Sequence, residues 1–101
     1  MKEKEVHIAK HVRVLEWLKS EIIDQVAVLF KGLYHTREQL IVDGIASLFV
    51  ALYVLARRLG IPFQSLDQLA LQKCREHRRE GHQLEEWYGD LTALEHYLKE
   101  R

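Results

Sequence analysis

Between Glu5 and Lys31 the apolar residues Val12, Leu15, Leu18, Ile22, Val26, Leu29 and Phe30 recur every three or four positions. That is the period of one helix face. The spacing predicts a first helix over about Glu5–Lys31, with Gly32 as its stop signal. A second pattern is continuous rather than periodic: Leu40–Leu59 reads LIVDGIASLFVALYVLARRL and carries no charge from Gly44 to Ala56. A helix that is apolar all round must be buried all round or span a membrane. Thr36-Arg37-Glu38-Gln39 has the form of a capping box that opens this second helix. Gly60 ends it, and Pro62 keeps the chain from re-entering it. Ser65-Leu66-Asp67-Gln68 is a second box, opening a third helix through Leu66, Leu69, Ala70 and Lys73 to about Glu80, closed by Gly81. A fourth helix is predicted from Leu84 to Lys99, with Leu84, Trp87, Tyr88, Leu91, Leu94, Tyr97 and Leu98 on one side. No alternating strand pattern and no internal repeat occurs.

These elements predict an all-α fold, a four-helix bundle in a single domain over residues 1–101. Short loops make long helices antiparallel neighbours, so helices 1 and 2 form the central hairpin. Four helices of this size do not easily surround helix 2 on every side. A partner chain is the simplest cover, and a homodimer or homotetramer with helix 2 near its centre is expected. The alternative is a monomer in which helices 3 and 4 fold over the remaining face.

Composition narrows the setting. Apolar residues make up 48% and charged residues 30%, as in a soluble globular chain. Fifteen basic and fifteen acidic residues cancel. That balance gives no global reason to expect a nucleic acid polymer or an anionic membrane as partner. The single cysteine, Cys74, excludes an intramolecular disulfide and a thiolate metal cage and favours a reducing compartment, so a cytoplasmic location is expected. MKEKEVHIAKHV has scattered charges and no apolar core of signal-peptide length. The run Leu40–Ala56 is near the lower limit for a bilayer span and has Asp43 inside it, which favours a buried helix over a membrane one.

Glu21 and Asp24 lie one turn apart on one face of helix 1. Counting back from a turn at Tyr34–His35, Asp24 lies about eight residues before it and Asp43 about eight after. At 1.5 Å rise per residue this puts them at nearly the same height in the hairpin. Glu21, Asp24 and Asp43 are therefore expected to converge across one seam. Converging carboxylates repel unless a cation sits among them, and Mg²⁺, a hard oxygen-seeking ion, is one solution. The alternative is three ordinary solvated residues with Lys19, Lys31 or Arg37 nearby. Lys73, Arg75, Arg78 and Arg79 form a basic cluster, suited either to phosphate or to an ordinary cationic helix end. His7 and His11 are four apart but lack a third ligand; His35, His77, His82 and His96 have no evident partner. Cys74 has no base to activate it. Trp87 and Tyr88 fit the apolar spacing of helix 4, which favours packing over base stacking.

An acidic pair on one helix, then an acidic residue opening an apolar helix that ends LARRLGI, resembles the MazG-like all-α nucleoside triphosphate pyrophosphohydrolases. The similarity runs from about Leu15 to Arg79 and is strongest in IASLFVALYVLARRLGIPFQSLDQLALQKCREHR. The resemblance implies E-E-x-x-E on the first helix and E-x-x-D on the second. Those acids would hold Mg²⁺, or Mn²⁺, for cleavage of a nucleoside triphosphate to monophosphate and pyrophosphate. Carried over, the metal and catalytic places with acids are Glu21, Asp24 and Asp43, and Lys73 and Arg78 would reach the phosphates. Two further acidic places fall on Ser20 and Ala46. The resemblance thus leaves two functions open: a Mg²⁺-dependent pyrophosphohydrolase, or a degenerate relative that binds nucleotide or a protein partner without hydrolysis.

Overall fold

The computed structural model describes residues 2–81 and 83–101. Five helices follow one another: α1 Lys2–His35, α2 Glu38–Arg58, α3 Phe63–Arg79, α4 Gln83–Tyr88 and α5 Asp90–Glu100. No strand occurs among the described residues, so the all-α expectation holds. The chain divides into two compact units, Met1–Gly60 and Ile61–Arg101.

In the first unit α1 and α2 pack as the expected antiparallel hairpin. Leu15, Leu18, Ile22, Gln25, Leu29 and Gly32 are the part-buried or buried positions that follow a three-four repeat along α1. Ile41, Gly44, Leu48, Ala51 and Leu55 do the same along α2. Two close approaches fix their register. A Cβ on Gly32 would stand 2.9 Å from the Ile41 backbone nitrogen, and one on Gly44 would stand 3.1 Å from the Leu29 Cα. Positions paired across the seam therefore add to 73.

Gly32 is not a stop signal. α1 runs three residues further, to His35, because this glycine is needed where the two backbones come closest. The helix ends instead in a Schellman turn. Thr36 takes the left-handed conformation (φ 54°). The Arg37 N–H donates to the Gly32 carbonyl (2.9 Å) and the Thr36 N–H to that of Leu33 (3.4 Å). Left-handed backbone strains a β-branched residue, by roughly 1–2 kcal/mol. Thr36 thereby loses its expected capping role. Arg37 is the N-cap of α2 and no side chain caps it. The Gln39 amide turns forward to the Asp43 carboxylate instead (3.2 and 3.3 Å).

α2 ends as expected, with Leu59 as C-cap and Gly60 at φ +87°. Its perimeter is not buried all round, however: only Gly44, Ala51 and Ala56 are buried. Among the described residues, Leu18 is the one large side chain that is fully buried, at 1% exposed. By length and composition α2 is apolar enough to cross a membrane.

In the second unit α3 starts two residues before Ser65. Pro62 is its N-cap, and the Leu66 N–H donates to the Pro62 carbonyl (3.2 Å). The second capping box therefore lies inside the helix and caps nothing. Gly81 closes α3 at φ +76°. The expected fourth helix is two helices, α4 and α5, broken at Gly89, which takes a left-handed backbone (φ 67°) and is the N-cap of α5. Glu85 fixes the break: its carboxylate accepts from the Thr92 backbone N–H (3.0 Å) and from the Thr92 hydroxyl. That satisfies one of the orphan donors of the α5 first turn. The Thr92 hydroxyl is the main reason the Glu85 carboxyl lies below its ordinary range.

Candidate functional site

Glu21, Asp24 and Asp43 all belong to the hairpin, yet the register separates them. Asp43 stands level with Phe30, six residues from Asp24 and nine from Glu21. At 1.5 Å rise per residue those offsets are about 9 and about 13 Å along the axis. The expected common height fails for a specific reason. α1 continues to His35, so the turn centres between Thr36 and Arg37, and each residue by which the centre moves shifts the pairing by two.

Each acid has its own local setting. Glu21 is half-buried and accepts from the Gln25 amide (3.1 Å). Asp24 is exposed, and Asp43 is exposed and bonded to Gln39. Among the described residues no group of three His, Cys, Asp or Glu side chains is placed to hold a metal ion. Mg²⁺ holds its ligands at ~2.1 Å, so the three carboxylates of a single hairpin do not fit one Mg²⁺ ion.

Glu21 borders a cavity instead. Its volume is about 320 Å³, and Trp17, Leu18, Ala46, Ser47, Val50, Ala51 and Val54 complete its lining. Ala46, standing at an acidic place of the resemblance, is part of this wall and offers no ligand. The cavity is an apolar slot with one carboxylate, one hydroxyl and an indole at its edge.

Lys73 and Arg78 are on α3, in the second unit. Lys73 is exposed and, among the described residues, has no ion pair. Arg78 is engaged: its guanidinium nitrogens reach both Glu95 oxygens (3.3 and 3.2 Å). Arg75 donates to the same carboxylate at 3.1 Å, and Lys99 lies 3.7 Å from it. Glu95 is 4% exposed. Burial alone would raise its carboxyl, but the Arg78, Lys99 and Arg75 charges and the Arg75 hydrogen bond outweigh that and hold it below its ordinary range. Sequence reasoning missed this residue. The available signal was its place between Leu91 and Leu98 in a four-three repeat, where a carboxylate needs partners.

A carboxyl lowered in the folded state stabilises above its unfolded value, and that stability is lost as pH falls through the folded one. Melting followed by circular dichroism should therefore hold steady from neutral pH to the ordinary carboxylate range of about 4, then fall on further acidification. Glu95→Gln should lower the neutral-pH melting temperature and flatten the acid limb. An unchanged acid limb in that variant would remove Glu95 as its source.

Of the remaining candidates, His77 pairs with Glu80 (3.9 Å), and His82 lies outside the described residues. Cys74 is buried, and Trp87 and Tyr88 stack edge to face, with centroids 6.4 Å apart.

The chain is all-α among the described residues and built on a two-helix hairpin, with acids on both hairpin helices and cations on the next. The MazG-like family model matches residues 8–91, and this chain belongs to the MazG-like family. Comparisons with curated proteins and with solved structures give no match.

Proposed function

We propose that this MazG-like chain is a binding protein that takes the base of a nucleotide in the cavity beside Glu21 and does not hydrolyse the triphosphate. The observation that carries the reading is the hairpin register, which keeps Asp43 about 9 Å in height from Asp24. The cavity's size supports it, since small-molecule sites begin at roughly 300 Å³. Its chemistry supports it too. The Trp17 indole is exposed and offers a stacking face, while Ser47 and Glu21 offer hydrogen-bonding groups to base edges. Phosphates would point away from Glu21 and Asp24, whose charges repel them.

A nucleotide titration followed by tryptophan fluorescence tests this, alongside a pyrophosphate-release assay with Mg²⁺ or Mn²⁺. Saturable quenching is expected in the unmutated chain and in Trp87→Phe, is lost in Trp17→Ala, and is accompanied by no pyrophosphate. Absence of quenching with any nucleotide overturns the reading.

A second reading is favoured by the family match, which spans all three acids together with Lys73 and Arg78. In it the chain is a Mg²⁺-dependent nucleoside triphosphate pyrophosphohydrolase, with Glu21, Asp24 and Asp43 as metal ligands drawn from more than one hairpin. Lys73 and Arg78 would hold the phosphates, with Arg78 released from Glu95. Pyrophosphate release that disappears in Asp43→Ala would establish it in place of the first.

A further inference from the structure

We propose that the cavity beside Glu21 selects guanine over the other bases, the Glu21 carboxylate accepting the N1–H and one N2–H of that base while the Trp17 indole stacks on its ring. The proposal rests on the base-binding reading above and names the base that this site takes.

Trp17 and Glu21 stand four residues apart on α1, and both line the cavity. Side chains at that spacing are neighbours on one helix face, with Cβ atoms about 5–6 Å apart. A ring laid on the indole therefore brings its edge to the carboxylate. Val50, Ala51 and Val54 form the facing wall on α2, which the register sets level with residues 19–23 of α1. That wall has no hydrogen-bonding side chain. Glu21 is the only charged residue among those lining the cavity. It is half-buried, and one of its oxygens accepts from the Gln25 amide (3.1 Å). A carboxylate has about four acceptor sites on its two oxygens, so both oxygens keep sites for a ligand.

The choice of base follows from what a carboxylate can do. It accepts and never donates, so it pairs best with an edge that presents two donors side by side. Guanine alone among the common bases does this, with N1–H next to its N2 amino group. Adenine and cytosine set one amino donor beside a ring-nitrogen acceptor, whose lone pair would face the second carboxylate oxygen. Uracil and thymine set a single N–H between two carbonyls. Two parallel bonds to a charged acceptor are the strong form of carboxylate recognition. In an apolar slot a mismatched edge also leaves its polar atoms unpaired, which adds to the discrimination. The Ser47 hydroxyl, half-buried on α2, both donates and accepts and so does not decide between bases.

Isothermal titration calorimetry of the full chain with the monophosphates of guanosine, inosine, adenosine, cytidine and uridine, without divalent metal, is the test. Guanosine monophosphate should bind at least about tenfold more tightly than each of the others, the discrimination of a good bidentate pair. Inosine monophosphate gives a readout that needs no variant: it keeps the rest of the guanine edge and lacks only the N2 amino group. Glu21→Gln replaces one acceptor by a donor, the pattern that suits adenine. In that variant the guanosine preference should disappear, and adenosine monophosphate should bind more tightly than it does to the unmutated chain. Equal affinity for every monophosphate, equal affinity for guanosine and inosine, or a guanosine preference that survives Glu21→Gln would each overturn the guanine assignment and leave the base-binding reading standing. No binding of any nucleotide would remove that reading, and the assignment with it.

Discussion

Leu18→Ala lowers the unfolding free energy of the chain by about 3 kcal/mol, within the usual range for a fully buried leucine. Leu18 is 1% exposed and stands level with Leu55 across the seam. It also forms one wall of the 320 Å³ cavity. Truncation would therefore join a new void to an existing one. The surrounding helices cannot collapse inward to fill it, because the glycine approaches already hold their backbones at closest packing. Urea unfolding monitored by circular dichroism measures the loss. Ile23→Ala, at an exposed position, serves as the comparison at matched protein concentration. A Leu18→Ala loss below that of Ile23→Ala would show that the α1–α2 seam is not the principal core of the first unit.

Gly32→Ala destabilises by about 2 kcal/mol, although the same change within an exposed helix stabilises by roughly 1 kcal/mol. The sign turns on one atom. The added methyl would sit 2.9 Å from the Ile41 backbone nitrogen, with the Leu40 Cβ and Ile41 Cγ1 both at 3.1 Å. A side-chain tip could swing away, but a backbone nitrogen moves only if α2 moves. The hairpin must open near its turn, and the loosened contact is shared with Gly44 and Leu29 one turn below. Thermal unfolding of Gly32→Ala beside Gly60→Ala separates this effect from left-handed strain, because nothing lies within 4 Å of a Cβ at Gly60. A Gly32→Ala protein as stable as the parent would mean that the helices are further apart than their register implies.

The hairpin was legible because two long apolar patterns joined by a short turn have few alternatives. Its details were not, and the reasons are local. Gly32 carries the same letter whether it ends a helix or admits a neighbouring backbone. The residue that decides is Ile41, nine positions ahead, and no local pattern names it. Thr36 heads a plausible capping box, but the end of α1 needs a left-handed residue at that same place, and the two demands cannot both be met. Gly89 sat within a good apolar repeat, and the Glu85–Thr92 contact that stabilises the break there lies outside any capping signature. The candidate metal site inherited the misplaced turn: a centre set at Tyr34–His35 brought Asp43 nearly level with Asp24, and the true centre between Thr36 and Arg37 removes the coincidence. Glu95 is illegible in the sequence because a lone acid in an apolar repeat resembles an ordinary solvated residue until Arg75, Arg78 and Lys99 surround it.

The two glycines of the seam also set how this hairpin can move. Gly32 faces Ile41 and Gly44 faces Leu29, a small residue against a large one at each step. If α2 slid by one turn in either direction, Leu29 would meet Leu48 or Leu40, and Gly44 would face Leu33 or Gln25. Bulk would collide where the backbones are closest and vanish where they need filling. One-turn ratchets between packed helices are a recognised way of passing a signal, and this seam is keyed against them. Any message carried through the hairpin must travel by separation or rigid rotation of the pair, never by one helix gliding along the other.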